Sequence, residues 1–503
     1  MTNPAAAPRS LAQITFALVG FLFLLELTSG ILQGYYIPLI SDLVVHIGVT
    51  DADFNWFEAA QLLLSAIAVP ILAKLGDMFG HKRMLLVSTA LTAAASWWLV
   101  FSGDFTTFLI AWALQGFYSV WLPLEVALIF DKGRRSKTGV SQTRRAAGLL
   151  VVALEVGAIA GALGGGALFE DVFGGNVPLT LAVPAIVVSL VFFAILFGVP
   201  ESERTTGRSL DFVGFVLLSF ALLLTTSSLT FLRINGPETW WVWVIMAAGL
   251  LSFIPFARWV LGRDDPAIDL RMLAKPNMWP IQITAGLFGL SVLGAQIPLS
   301  TFAGTDPAVA GYGLGLTSGQ RSYVIGIYLI SLIAGAALFA GFSRRLSPRI
   351  ALIVATALVA VGYFALIPFH DNLPQVLSCI FVAGLGSGAL VAALPAAAAA
   401  AAPLGQTGIA TGLTNTTKTI GGAFASATFG IALATGVAVG AGTAASLSGY
   451  YTVWIVCGAS ALVATVLLFF VPKLAFADVD PDEDSYSPDS VPTNHAEGAE
   501  SGK

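Results

Sequence analysis

The 503-residue chain is 56% apolar and only 11% charged, whereas a soluble globular domain carries about 25% charged residues. That composition excludes an ordinary soluble enzyme and leaves a protein built for a membrane. The formal net charge of −5 belongs to one end, because segment 478–503 holds Asp478, Asp480, Asp482, Glu483, Asp484, Asp489, Glu497 and Glu500 against Lys503.

Crossing the hydrocarbon core takes roughly 20 apolar residues, and the backbone polar groups must be satisfied within the segment, so each crossing is a helix. Fourteen such stretches are expected in chain order: 13–40, 54–75, 84–102, 106–130, 146–169, 177–199, 211–233, 239–262, 278–303, 323–342, 350–369, 375–402, 407–436 and 449–471. The first is expected to act as its own insertion signal, with no cleaved signal peptide. Placing the N-terminal segment 1–12 inside puts 21 of the 24 Lys and Arg on the cytoplasmic side. Arg233 and Arg321 then fall outside, and Lys418 lies within a stretch. This bias follows the positive-inside rule, and one missed or extra helix would invert half of the loops. The Pro-, Ser- and acid-rich tail 478–503 reads as disordered cytoplasmic chain. Cys379 and Cys457 both sit in apolar stretches and make neither a disulfide framework nor a metal site.

The loop Leu75-Gly76-Asp77-Met78-Phe79-Gly80-His81-Lys82-Arg83 has a counterpart in Phe342-Ser343-Arg344-Arg345-Leu346-Ser347-Pro348-Arg349. Each is a short basic turn between the second and third helices of a six-helix set. The expected architecture is therefore an all-α integral membrane protein. It has a six-helix bundle at 13–199, an inserted helix pair at 211–262 and a second six-helix bundle at 278–471. Two repeats with a site between them is a secondary-transporter design.

An ionised side chain near the bilayer centre costs about 2.5–3.5 kcal/mol on insertion scales, so acids inside apolar stretches need a reason. Glu26 heads a polar face with Ser29, Gln33 and Tyr36. Glu125 shares a face with Tyr118 and Trp121, and aromatic rings beside an acid suit a cationic or planar ligand. Glu155 lies off the face formed by Gly157, Gly161 and Gly165, whose spacing of four marks close helix packing. Glu26, Glu125 and Glu155 are the expected proton carriers. Glu58 lies near the outer end of its helix, where water reaches it, and is left out of that set. Lys418 shares a face with Thr411, Asn415 and Gly422 and is read as an anion contact in the cavity, as a partner for one of the glutamates, or as a structural cation. Gln61, Gln115 and Gln296 complete the expected substrate-binding set with Gln33, Tyr36, Tyr118, Trp121, Asn415 and Lys418.

Several segments resemble one family. Trp56 through Pro70 to Arg83, Leu210-Asp211-Phe212-Val213-Gly214, Pro266-Ala267-Ile268-Asp269-Leu270-Arg271, and Gly412-Leu413-Thr414-Asn415-Thr416-Thr417-Lys418 with Gly421-Gly422 are similar to the major facilitator superfamily. The branch they resemble is the fourteen-span drug–proton antiporters. That resemblance implies a gate latch at Asp77, Gly80, Lys82 and Arg83. Departures occur at Ala73, Met78 and His81 in that loop, at Trp112 where a buried Arg is usual, and at Ala162 where a Pro is usual. The expected function is proton-coupled export of small amphipathic compounds across a bacterial cell membrane, including antibiotic-resistance efflux. An uptake symporter or facilitator on the same fold is the alternative, and a non-transport membrane sensor the third reading. No enzymatic activity, cofactor, metal or nucleic-acid partner is expected. The partners are the substrate, protons and membrane lipid around a monomer with both termini cytoplasmic.

Overall fold

A computed structural model describes residues 16–133, 139–202, 210–345, 348–401, 407–437 and 442–470. The segment 1–12 and the acidic tail 478–503 lie outside the described residues. Among the described residues every regular element is helical. Twelve helices are long and apolar enough to cross a membrane: α1 Leu18–Ile47, α2 Asp51–Phe79, α3 His81–Val100, α4 Phe105–Ile129, α5 Gly148–Val172, α6 Val177–Gly198, α7 Phe212–Asn235, α8 Trp240–Leu261, α9 Trp279–Gly304, α10 Ser318–Phe339, α12 Leu373–Ala398 and α14 Leu447–Phe470. The other two expected stretches are helical as well. Pro348–Ala365 (α11) is apolar but has only 18 residues. Thr407–Ala434 (α13) is long but carries Asn415, Lys418 and a run of threonines.

Local chemistry sets the helix starts. Thr50 and Asp53 form a reciprocal capping box on α2, with Thr50 N donating to Asp53 Oδ2 at 3.0 Å and Asp53 N donating to Thr50 Oγ1 at 3.3 Å. Asp104 caps α4, Asn176 caps α6 and Asp211 caps α7. Near its middle α4 tightens into a 3₁₀ turn at Gly116–Val120. There Ser65 Oγ of α2 lies 2.9 Å from Gly116 O, at hydrogen-bond distance.

Among the described residues two large hydrophobic cores form, beside a small cluster of Trp56, Ala59 and Ala427. One is built from buried residues between Leu18 and Val199 and takes only Ile297 from further along the chain. The other runs from Leu218 to Leu468 and takes Ala52, Ala66, Ala158 and Ala162 from the earlier helices. The two groups meet along α2–α13 and α5–α10. Helices α7 and α8 pack on each other, and α7 also touches α2 and α13 beside that seam.

Candidate functional site

The site is positioned by the most extensive helix pair of the molecule, α1 against α5. Gly30 and Gly34 of α1 interleave with Gly157, Gly161 and Gly165 of α5, and a Cβ on any of them would strike the facing backbone. Only glycine permits this approach, which lets two helix backbones touch without intervening side chains. It sets the rotation of α1 against α5.

Glu26 of α1 and Glu125 of α4 are both wholly buried. Their carboxyls face each other at close range, and none of the four oxygens meets a hydrogen-bond donor. Buried polar groups are almost always partnered, and two ionised carboxylates cannot share a dry site without strong repulsion. A proton held between them would supply the donor that the site otherwise lacks.

Around this pair the same bundle collects polar and aromatic groups. Gln115 is buried and donates to Tyr36 Oη at 2.9 Å and to Ser96 Oγ at 3.0 Å. The Tyr36 ring meets Trp112 edge-on at 5.1 Å. Tyr118 is half-buried with its ring 6.2 Å from Trp121, which has no exposed surface. Gln33 is exposed, with Nε2 3.4 Å from Ser29 Oγ. Gln61 is buried on α2, and half-buried Glu58 lies beside Trp112 and Tyr118. Reading the sequence missed Glu58 as part of this cluster. The available signal was its helical face, where Gln61 and Ser65 follow at spacings of three and seven.

Glu155 of α5 and Lys418 of α13 approach from opposite sides of the seam, both half-buried. They feel each other's charge but form no ion pair. Asn415 and Gln296 are half-buried on α13 and α9, away from the Glu26–Glu125 pair in sequence and in element. Gln282, which the sequence reading did not single out, fixes α13 to α9: its Nε2 donates to Thr414 Oγ1 at 2.9 Å and its Oε1 accepts from Thr417 at 3.0 Å.

The turn after α2 is held against the exit of α6. Gly80 adopts φ +108°, a value open to glycine. Glu201 Oε1 accepts from Lys82 N at 3.0 Å, Glu201 Oε2 lies 3.6 Å from Arg83 Nε, and Lys132 Nζ donates to Glu201 O at 2.8 Å. His81 N donates to Ser202 Oγ at 2.8 Å, and its ring bridges Ser202 and Asp77. Nearby, Lys74 Nζ reaches Asp265 Oδ1 at 3.1 Å and tethers α2 to the linker after α8. Of the matching loop at 342–349, positions 346–347 lie outside the described residues.

Comparison with known proteins agrees with this helical architecture. The triacylglyceride transporter of Mycolicibacterium smegmatis is 27% identical over 421 residues, 78% of this chain and 71% of that protein. The tetracenomycin C resistance and export protein of Streptomyces glaucescens is 26% identical over 407 residues, 77% of this chain and 70% of that protein. An MFS-type transporter of Mycobacterium tuberculosis matches 79% of this chain, which spans little more than half, 56%, of that relative. Among solved structures, a peptide transporter POT in complex with sulfate superimposes with a TM-score of 0.65 at 15% identity, over 92% of this chain and 96% of that one. At that identity the likeness concerns the fold alone. Residues 22–426 match the Major Facilitator Superfamily, and the chain belongs to that family of transporters.

Proposed function

We propose that this protein is a proton-coupled exporter of small amphipathic compounds, of the fourteen-span drug–proton type. In this reading α1–α6 and α9–α14 are two six-helix bundles that rock about the α2–α13 and α5–α10 seam, and α7–α8 are an inserted pair. Both termini are cytoplasmic, the membrane is a bacterial cell membrane, and the monomer is the working unit. The observation that carries the reading is the Glu26–Glu125 pair: two wholly buried carboxyls without a donor, inside a helix bundle of a transporter family. Such a pair holds one proton and releases it when water or substrate enters.

The roles proposed for the residues are these. Glu26 and Glu125 carry the coupling proton, and Glu155 answers it across the seam through Lys418. Gln33, Gln61, Tyr118, Asn415, Lys418 and Gln296 line the substrate path, while Tyr36, Gln115 and Trp121 back it as a packed wall. The turn at Asp77, Gly80, Lys82 and Arg83 holds the cytoplasmic end of the first bundle rigid as it moves. The export protein for tetracenomycin C and the triacylglyceride transporter, both about a quarter identical to this chain, support an apolar or aromatic cargo over a hydrophilic nutrient. The second of these favours a lipid-like cargo specifically, so acylglycerols belong in the test.

The test is uptake into everted vesicles with and without a proton gradient, across a panel of polycyclic aromatics, cationic amphiphiles and acylglycerols. Gradient-dependent accumulation of at least one class is expected. Movement of a hydrophilic nutrient alone, inward and down its gradient, would favour the uptake alternative.

A further inference from the structure

A cavity of about 540 Å³ opens between the two helix groups, and neither Glu26 nor Glu125 lines it. Its polar wall holds Asp42 of α1, Asp51 of α2, Glu170 of α5, Asp306 after α9 and Arg321 of α10. Four carboxyls thus meet one guanidinium, an excess of three negative charges.

Most of these groups are already engaged. Arg321 is only 2% exposed, and its Nη2 donates to Asp42 Oδ2. Its Nε and Nη1 are enclosed by protein, with Nη1 packed so close to Gly304 that an added Cβ there would stand 2.7 Å from it. Glu170 Oε1 accepts from Ser318 Oγ and from Gly319 N, each at 2.9 Å. Asp306 Oδ1 accepts from Ala308 N at 2.9 Å. Asp51 differs. It lines the cavity and is 4% exposed, yet among the described residues its carboxylate accepts no hydrogen bond and meets Arg321 only through the field of its charge. Buried polar groups are almost always partnered, and a buried acid is normally paired. Asp51 therefore lacks a donor that an occupant of the cavity would bring.

We infer that this cavity is a binding site for an amphipathic organic cation, whose protonated amine donates to Asp51. Glu170 and Asp306 add negative potential around the amine, while the charge of Arg321 is answered by Asp42. An anion would meet four carboxyls. A bare metal ion is disfavoured as well, because among the described residues no three acidic, His or Cys side chains converge closely enough to hold one. The rest of the wall suits an organic body: Phe169, Val45, Val309 and Leu316 line it, and the two valines are exposed. An aromatic face also attracts a cation. The volume lies within the roughly 300–1,000 Å³ of small-molecule pockets. This site is distinct from Glu26–Glu125 and does not rest on proton coupling.

The test is protection of a thiol in the cavity wall. Val309→Cys replaces a lining residue that is 62% exposed. The purified protein in lipid nanodiscs, where reagents reach both faces, is labelled with iodoacetamide at increasing 4-phenylbutylamine. The protein without that substitution gives the background from Cys379 and Cys457, which are both buried. The amine should slow labelling severalfold and saturably, whereas 4-phenylbutanol, 4-phenylbutyrate and Mg²⁺ should leave the rate unchanged. In the same background Asp51→Asn should weaken protection by about tenfold or more, the scale of a hydrogen bond to a charged group, and Asp51→Glu should keep most of it. No protection by the amine, equal protection by the alcohol, protection by Mg²⁺ alone, or undiminished protection in Asp51→Asn would overturn the proposal. The amine-against-alcohol comparison needs no change at Asp51, so it decides the matter even if the Asp51 variants fail to fold.

Discussion

Glu26 and Glu125 stood out in the sequence one at a time, because an acid in an apolar helix is expensive wherever it sits. Their pairing was not legible. They lie on different helices, and only the packing of α1 against its neighbours brings Glu26 next to Glu125 of α4. Glu58 was passed over for a related reason: its position near the outer end of α2 suggested water, whereas the fold puts it beside Trp112 and Tyr118. Glu125→Gln, which keeps shape but cannot ionise, is expected to reduce gradient-driven transport to the level seen without a gradient while substrate binding persists. Vesicle uptake and equilibrium binding on the same preparation check this. Glu155→Gln should weaken coupling and shift its pH dependence, since it leaves Lys418 without its facing charge. Wild-type rates with unchanged pH dependence in both variants would make these residues structural.

At the scale of elements, the glycine face of α5 was readable from spacing alone, but its partner was not singled out, although Gly30 and Gly34 on α1 share the same spacing of four. Gly161→Val forces a side chain into the α1 backbone, and overpacking of this kind costs about 1–3 kcal/mol or more. A clear drop in thermal stability is expected, whereas Gly20→Val, at a position with open space around it, should leave stability near the parent value. The inserted pair has a pH-sensitive anchor in Asp211. Burial pushes its carboxyl up, but hydrogen bonds from Trp259 Nε1 at 2.9 Å, Gly214 N at 2.9 Å and Ala267 N at 3.0 Å, with the charge of Lys74, hold it below the usual carboxylate range. A carboxyl depressed in the folded state contributes stability that is present above its unfolded value and is lost as pH falls through the folded one. Asp211→Asn should therefore lower thermal stability at neutral pH by about 1 kcal/mol, the usual scale of a helix cap, and the difference from the parent should shrink on acidification. A constant difference across pH would assign the effect to packing. Helix limits were less legible than helix existence: α11 ends at Ala365 rather than near residue 369, and the threonines and Lys418 of α13 dilute its apolar character.

For the whole molecule, the distribution of Lys and Arg predicts a topology that labelling can read. Asp264 follows α8 and Asp306 follows α9, and both side chains are exposed. With the N-terminus inside, Asp264→Cys should resist an impermeant reagent from outside and Asp306→Cys should react. The reverse pattern would contradict the span count. The two large hydrophobic cores meet at α2–α13 and α5–α10. The Arg321–Asp42 ion pair was invisible, because the two residues lie far apart in the chain and each alone reads as an ordinary loop-end charge. The central claim is that substrate and proton move in opposite directions through the Glu26–Glu125 pair. It is tested most directly in proteoliposomes carrying an internal pH dye, with an accepted substrate imposed as the only gradient. Substrate flow should drive opposite proton flow in the parent and none in Glu26→Gln or Glu125→Gln; substrate flow with no proton movement, or with protons moving the same way, would contradict the account.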